Sequence, residues 1–333
     1  MQKLRQYDVS VIVAQYNPSQ PMVIKTIKSI IGQKKVKIQI IIADDGSSLD
    51  YFNETEKYLI ECGFKDYKFS KCEKNSGTCI NVKKAVECAD GEYVKLISPG
   101  DYLFDQDTLY NWYTFCKRYE VKVSYGMATY YYMKDADMQV VKKKCAQPAL
   151  NYLYKLENNN SVGKIIDNIV LCDCILGASF LCERKILEEY LKEICGKVKY
   201  CEDFSYRLML LDGQRIVWYD KPTVYYSYGD GISSKSDSNG NLLLRQDEVA
   251  FDELLSVRKV TSNIGKRVQR FAKRKNRNRI RNRIISFIYF PEAVYYRLAK
   301  FFLIKMGKTE TCKSVDEKFI RLIQSEGIEV KCK

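Results

Sequence analysis

Apolar runs and polar breaks alternate regularly along the first hundred residues. Residues 7–14 and 38–43 are β-branched runs of strand length, and residues 92–98 have the same character. Between the first two runs, isoleucine repeats within residues 24–31 at the spacing of a helix face. Strands that alternate with helices in this way predict right-handed βαβ units and a mostly parallel sheet. The same patterns predict strands at 7–14, 38–43, 67–72, 92–98 and 214–219, and helices at 21–32, 48–62, 75–89, 105–119, 183–194 and 204–211.

The pattern changes after residue 119. Two apolar stretches, 121–133 and 138–144, follow each other without a helix between them, which predicts a hairpin and a mixed or antiparallel second half. Residues 225–240 are rich in Gly, Ser and Tyr, which indicates a loop. We therefore divide the chain into a domain of residues 1–250, with halves 1–102 and 103–250, and a tail of residues 251–333.

Carboxylates stand directly after two of the predicted strands. Asp44 and Asp45 follow the second strand, a glycine turn comes next, and Ser48 is placed to cap the following helix. Asp101 follows the strand at 92–98 in a similar way. Ligands of open α/β sheets bind in the crevice beyond the carboxyl ends of the strands. The pattern therefore indicates a site there, although Asp, Gly and Ser are also ordinary turn residues.

The composition narrows the chemistry that such a site can perform. The 333 residues include no histidine, which excludes Ser-His-Asp and Cys-His catalysis and any His-ligated metal. A general acid or base in this protein must therefore be a carboxylate, Lys, Tyr or Cys. The 13 cysteines form no CxxC pair, and the N-terminus enters the first strand without a long apolar region. We therefore expect a reducing, cytoplasmic location, in which cysteine acts as a small buried apolar residue.

Positive charge is concentrated in one segment. Residues 258–283 hold 12 of the 55 Lys and Arg residues and no acid, which leaves 43 basic against 41 acidic residues elsewhere. Apolar and aromatic residues follow at 284–290 and 295–304, and no apolar run reaches the roughly 20 residues that span a bilayer. This combination predicts peripheral contact of residues 258–305 with the inner face of an anionic membrane, at about 1 kcal/mol per basic side chain. A helix face packed on the body is the second interpretation, and nucleic-acid binding is the third.

Six short motifs, in this order, resemble those of the family 2 glycosyltransferases with the GT-A fold. They are Val-Ile-Val-Ala-Gln-Tyr-Asn at 11–17, Ile-Ala-Asp-Asp-Gly-Ser-Ser at 42–48, Asn-Ser-Gly at 75–77 with Asn81, Leu-Ile-Ser-Pro-Gly-Asp at 96–101, Leu-Gly-Ala-Ser at 176–179 and Glu-Asp at 202–203. The resemblance covers roughly residues 7–236. It implies a mixed, mainly parallel α/β sheet flanked by helices. It also implies inverting transfer of a sugar from a nucleotide-diphosphate donor, such as a UDP-sugar, to a glycan or lipid-linked acceptor of a cell-envelope polysaccharide.

The resemblance also implies roles for single residues. Asp203 would be the general base, with Glu202 beside it, and Asp101 would hold Mn²⁺ or Mg²⁺ against the donor diphosphate. Tyr16 and the two adjacent aspartates would contact the nucleoside. The donor-binding set would be Tyr16, Asn17, Asp44, Asp45, Asn75, Gly77, Gly100 and Asp101.

The chemistry of sugar transfer agrees with these roles. A hard cation with oxygen ligands stabilises the charge of the released diphosphate, and attack by an acceptor hydroxyl needs a base on the opposite face. The family's metal motif commonly reads Asp-x-Asp, whereas this chain has Ser98-Pro99-Gly100-Asp101. We therefore expect the diphosphate to complete the coordination shell, so that metal and donor bind together.

Other interpretations remain open from the sequence. Glu202 and Asp203 could be acids favoured at a helix N-terminus by its dipole, and Asp101 could cap the segment that follows it. The whole protein could be a nucleotide-sugar-binding protein that has lost turnover, a hypothesis that the shortened metal motif favours. A third hypothesis is a nucleic-acid-binding protein that uses the basic tail.

Overall fold

The β-branched runs form the centre of one sheet in the computed structural model of the protein. The structure describes residues 6–134, 137–141, 148–229, 238–276, 278–306 and 314–325, and within them the sheet has nine strands. The strands are β1 (Tyr7–Gln15), β2 (Ile38–Asp44), β3 (Tyr67–Lys71), β4 (Gly91–Ile97), β5 (Tyr102–Leu103), β6 (Val123–Lys134), β7 (Asp137–Val140), β8 (Phe180–Glu183) and β9 (Ile216–Ser227).

The sheet is mixed and mainly parallel, as the sequence predicts. Its order is β3-β2-β1-β4-β8-β6-β9-β5, with β7 paired to β6. The first four strands pair in parallel, and so do β6 and β9. Strand β8 runs antiparallel between β4 and β6, and β7 forms the predicted antiparallel hairpin with β6. The carboxyl ends of β1, β2 and β4 therefore meet at one edge.

Helices cover both faces of the sheet. Apolar residues of α1, α2 and α4 pack on one face, while those of α3 and of α5 to α11 pack on the other. The helices are α1 (Gln20–Ile31), α2 (Phe52–Glu61), α3 (Thr78–Cys88), α4 (Thr108–Arg118), α5 (Ser161–Ile165), α6 (Arg184–Ile194), α7 (Phe204–Leu211), α8 (Ser238–Val257), α9 (Asn263–Arg274), α10 (Arg279–Tyr289), α11 (Ala293–Lys305) and α12 (Glu317–Gln324). Six of the ten described cysteines are buried, and all ten are free thiols.

Two local predictions were wrong. Ser48 does not cap a helix, because its backbone N–H and its hydroxyl both donate to Asn17 Oδ1, at 3.1 and 3.2 Å. Helix α2 starts only at Phe52. The predicted loop at 225–240 was also too long, since β9 continues to Ser227 and α8 begins at Ser238. Pairing of β9 with β5 and β6 supplies the backbone hydrogen bonds that the local sequence does not reveal.

The basic tail packs on the body along its inner side. The proposed boundary after residue 250 falls inside α8, and Phe251 and Leu254 of that helix belong to the main core. Helix α12 packs beside α1. There Phe319 lies next to Gly32, and Lys28 Nζ donates to the carbonyl of Ser325 at 2.6 Å. Residues 307–313 and 326–333 of the tail lie outside the described residues. None of the helices seen in the described ranges has both the length and the apolar character that crossing a bilayer requires.

Candidate active site

The turn after β2 is organised around Asp44. Its Oδ1 accepts a hydrogen bond from Ser47 N at 2.7 Å, and its Oδ2 accepts from Ser47 Oγ at 2.6 Å and Gln15 Nε2 at 3.2 Å. The residue is fully buried. Asp44 therefore shapes the turn in this structure, and its predicted contact with a nucleoside would have to share an oxygen that already binds the protein.

Asp45 joins this turn to the loop after β3. Its two carboxylate oxygens accept the N–H groups of Ser76 and Gly77, both at 2.8 Å. Gly46, at φ +74°, lies so close to this loop that a Cβ atom would be 2.5 Å from the carbonyl carbon of Lys74. Only glycine fits there, because both the backbone conformation and the space exclude a side chain. Asp45 is thus placed at the predicted edge, and its carboxylate holds two loops together.

An exposed rim lies beside the two aspartates. Tyr16 is 50% exposed, and the backbone N–H of Asn17 donates to Ser47 Oγ at 2.7 Å. Asn75 Oδ1 is buried, and no hydrogen-bond donor reaches it from the described residues. The rim therefore offers an aromatic face and an acceptor oxygen without a protein donor.

Asp101 lies on the loop that follows β4, next to Gly100. Its carboxylate Oδ1 accepts from Ser227 N at 2.9 Å, and only 3% of the residue is exposed. Gly100, at φ +95°, donates its N–H to Thr26 Oγ1 at 3.0 Å and accepts from the hydroxyl of Tyr131. The loop is therefore tied to α1, β6 and β9. This hydrogen bond joins Asp101 to the end of β9. It is not the bond that the alternative role, capping of the segment after Asp101, would require.

Glu202 and Asp203 are half-buried at the start of α7. Asp203 is the N-cap residue, but its side chain makes no capping hydrogen bond. Burial raises the pKa of both carboxyls, and the Arg207 guanidinium opposes the rise at Asp203. For Glu202, burial and the neighbouring Asp203 charge raise the pKa to about 8. Because the Arg207 guanidinium opposes the rise at Asp203, it favours the ionised form of Asp203 over that of Glu202 within the pair.

The loop after β3 connects the Asp45 turn to this pair. A Cβ atom at Gly77 would lie 2.5 Å from the carbonyl oxygen of Lys199, and the same oxygen accepts from Cys79 N at 3.0 Å. Lys199 is three residues before Glu202. The loop after β3 therefore contacts both the turn that carries Asp45 and the segment that leads into Glu202 and Asp203.

Lys95, a buried lysine of β4, contacts the segment that lies against Glu202. Lys95 donates its Nζ to the carbonyl of Ala178, and burial lowers its pKa to about 7 although the nearby Asp101 charge acts in the opposite direction. Gly177, adjacent to Ala178, would place a Cβ atom 2.8 Å from Glu202 Oε1. Contacts thus link the segments of all three predicted acidic sites at one edge of the sheet. Lys95 was not predicted as a site residue. In the sequence it is marked only by being a single lysine within an apolar strand.

A family model described as "Glycosyl transferase family 2" matches residues 10–191, which is more than half of the chain. The chain belongs to glycosyl transferase family 2. The protein is therefore a glycosyltransferase, and its sheet has the GT-A fold that the motifs implied. Glu202 and Asp203 lie beyond the matched segment, so their roles depend on the geometry above.

Solved structures with the same fold include TarS of S. aureus. Residues 1–349 of TarS in complex with UDP match with a TM-score of 0.55 and 17% identity, over 79% of this chain and 69% of that chain. A second crystal structure of TarS 1–349 gives a TM-score of 0.50 at 17% identity, with the same coverage. At this identity the likeness shows the fold alone. No similar sequence was found among curated proteins.

One further residue of this glycosyltransferase escaped the sequence analysis. Asp247 of α8 is buried and accepts three backbone hydrogen bonds, from Lys199 N at 2.9 Å, Tyr200 N at 2.7 Å and Cys201 N at 2.8 Å. It thereby fixes the turn that leads into Glu202. Its neighbours Gln246 and Glu248 are exposed, so nothing in the local sequence distinguishes it from a solvated helix face.

We expect Asp247→Asn to lower the free energy of unfolding by about 1–3 kcal/mol, because the amide can no longer accept all three bonds and leaves a buried N–H without a partner. The variant should also lose transferase activity, since the turn before the acidic pair is released. Denaturant unfolding and donor turnover measure the two effects. Glu248→Gln, which changes an exposed carboxylate on the same helix, should alter neither; an equal effect of both substitutions would contradict the positioning role.

Proposed function

We propose that this glycosyltransferase moves a sugar, with inversion, from a UDP-sugar to a hydroxyl of a glycan or lipid-linked acceptor. The observation that carries the proposal is the unlike pair at the start of α7. Asp203, whose ionised form Arg207 favours, and Glu202, whose pKa is raised to about 8, follow a turn that contacts the Asp45-bound loop at one edge of the sheet, and Glu202 also adjoins the segment that Lys95 of β4 contacts. A base and a charged donor would therefore meet at this edge.

The donor would bind on the side of Tyr16 and Asp45. The exposed ring of Tyr16 would stack on the base, and Asn17 would line the same rim. Asn75 Oδ1, which has no donor from the described residues, would accept an N–H of the base. Gly77 and Gly100, both at positive φ, would line the donor pocket with their backbone, since Lys199 and Met22 fill the space that side chains at these positions would need. UDP in the crystal structure of the TarS relative supports a uridine nucleotide.

Asp203 would act on the acceptor. Its ionised carboxylate would take the proton of the acceptor hydroxyl while that oxygen bonds to the anomeric carbon. The bond between the anomeric carbon and the diphosphate oxygen would break, and UDP would leave with the electron pair. Attack from the face opposite the leaving group inverts the anomeric centre. The absence of a capping bond from Asp203 supports this role over stabilisation of the helix terminus.

A divalent cation is the remaining part of the proposal. Asp101 would hold Mn²⁺ or Mg²⁺, since a carboxylate is a hard oxygen ligand of the kind these ions prefer. Within the described ranges, no three acidic or cysteine side chains converge, so a cation at Asp101 would have to take further ligands from the diphosphate and water. When bound, the cation would neutralise charge on the departing diphosphate.

We place this activity in the cytoplasm, on the inner face of an anionic membrane. Support comes from the basic residues and exposed apolar side chains of the tail. Three of the 12 basic residues in 258–283, Arg258, Arg267 and Lys275, pair with carboxylates of the protein at 2.6–2.7 Å. We do not expect a nucleic acid as the partner, because it would use the remaining charges and leave the exposed apolar side chains of the tail in water.

We expect UDP to raise the melting temperature more than GDP, CDP or dTDP, with a further rise when Mn²⁺ is added. A ligand at 100 times its Kd stabilises the folded state by about 2.7 kcal/mol, which corresponds to several degrees in a protein of this size. Thermal unfolding measures the shift. Asn75→Ala should reduce it, whereas Asn158→Ala, in an exposed loop, should not. A larger shift with another nucleotide would refute the choice of uridine.

A further inference from the structure

Apolar side chains are concentrated on the outer surface of α10 and α11. On α10, Ile280, Ile284 and Ile288 are 72%, 56% and 70% exposed, and their spacing of four residues places them on one helix face. On α11, Leu298, Phe301 and Phe302 are each more than half exposed. The two helices are neighbours, since the Arg297 guanidinium of α11 lies 5.2 Å from the centre of the Phe287 ring of α10. Exposed apolar side chains grouped in this way usually mark an interaction site, whereas single exposed apolar residues are common on any surface. We call this surface the α10–α11 face.

The inner side of the two helices is firmly packed. Ile285 and Phe290 are buried in the main core. Tyr296 accepts a hydrogen bond from Asn160 Nδ2 at 2.9 Å, and Lys300 pairs with Asp173 at 2.7 Å. The apolar outer surface therefore belongs to helices that already have a fixed place on the body.

Basic side chains stand beside the α10–α11 face. Arg281 and Arg283 of α10 are exposed, as is Lys305 of α11, whose ammonium lies 6.0 Å from the centre of the Phe301 ring. None of these three forms an ion pair with a residue in the described part of the chain. They differ in this from Arg267 of the same basic run, which pairs with Glu292 at 2.7 Å. Exposed positive charge thus remains where the apolar side chains are.

We infer that the α10–α11 face docks on an anionic lipid bilayer. Isoleucine and phenylalanine side chains would enter the interface between headgroups and acyl chains, while arginine and lysine would contact the lipid phosphates. A nucleic acid would use the charges but would leave the apolar side chains in water. A lipid surface satisfies both parts of the face, and for this reason we prefer it.

The position of the face suits a lipid-borne acceptor, a point that rests on the proposed function. Asp173, the partner of Lys300, is four residues before Gly177, which adjoins Glu202. Four residues of chain span at most about 14 Å. The segment that contacts the inner side of α11 therefore continues within this distance to the residues beside the acidic pair, which suits an acceptor held at the membrane.

Vesicle flotation of the full chain tests the inference. We expect binding to vesicles that contain phosphatidylglycerol and little binding to phosphatidylcholine alone. Arg281→Gln with Arg283→Gln should weaken binding roughly fivefold per charge, and Phe301→Ser with Phe302→Ser should weaken it by at least about tenfold. Ile60→Ser, at a residue of α2 that is 63% exposed, is the matched control and should bind as the unchanged protein does.

The stabilisation by UDP should be the same in all these variants, which separates this inference from the donor proposal. Equal flotation of the Phe301/Phe302 variant and the unchanged protein would overturn the inference. So would flotation that ignores lipid charge, or an absence of flotation accompanied by DNA binding that the arginine variant loses. A dimer in solution that the Phe301/Phe302 variant dissociates would assign the face to a second copy and would overturn it as well.

Discussion

Replacing Asp203 by Asn is expected to lower kcat for a UDP-sugar by about 10²–10⁴-fold, the usual contribution of a general base. The donor KM should change little, because the proposed task of Asp203 lies on the acceptor side. UDP release from the donor, with water or an added acceptor, measures the rate. Asp220→Asn, an exposed carboxylate on β9, should leave it unchanged. Full turnover by the Asp203 variant would show that the base is elsewhere.

The Glu202→Gln variant tests which of the two carboxyls acts as the base. The pKa of Glu202 is raised to about 8, so its carboxyl is mostly protonated at neutral pH and a neutral amide should replace it with little loss of rate. In the unchanged protein, the raised pKa means that the folded state holds a proton that the unfolded state has released. Stability from this group therefore falls as the pH rises towards about 8, and Glu202→Gln should remove that fall. A large loss of rate at neutral pH would instead make Glu202 the ionised member.

Replacing Asp101 by Asn is expected to abolish the effect of Mn²⁺ on UDP affinity, which we place at about tenfold or more because a carboxylate is the main protein ligand proposed for the cation. The amide can still accept the hydrogen bond of Ser227 N, so the loop should keep its place. Calorimetric titration of UDP, with and without Mn²⁺, measures the effect without depending on turnover. Asp220→Asn should behave as the unchanged protein. An Mn²⁺ effect that survives in the Asp101 variant would exclude this carboxylate as the ligand.

Local pattern was sufficient for much of the fold. The β-branched runs became the central strands with ends shifted by at most one residue, because such runs have few alternatives to a buried strand. Helix α7 was predicted at the bounds it has, 204–211. Strand β9 was predicted too short, because its second part is held by pairing with β5 and β6, which no short window of sequence contains.

The tail shows the same division between local and distant effects. The positive charge of the tail was evident from the sequence, but which basic side chains form ion pairs and which stay exposed was not. Arg258 reaches Glu193 and Asp212, which lie 65 and 46 residues away along the chain, whereas Arg281 and Arg283 stay exposed on α10. The packed and the exposed interpretation of the tail therefore each describe one side of it, and only the folded arrangement separates the two sides.

By itself the sequence determined that acidic residues follow strands of one parallel sheet, and parallel strands end at a common edge for purely geometric reasons. Only the tertiary structure decided how each carboxylate is used. Asp45 binds backbone N–H groups of the loop after β3, and Asp247 reaches the turn before Glu202 from 46–48 residues away. The raised pKa of Glu202 is likewise tertiary, because its main cause is burial. Such contacts form between segments that meet only on folding, so short-range sequence patterns cannot predict them.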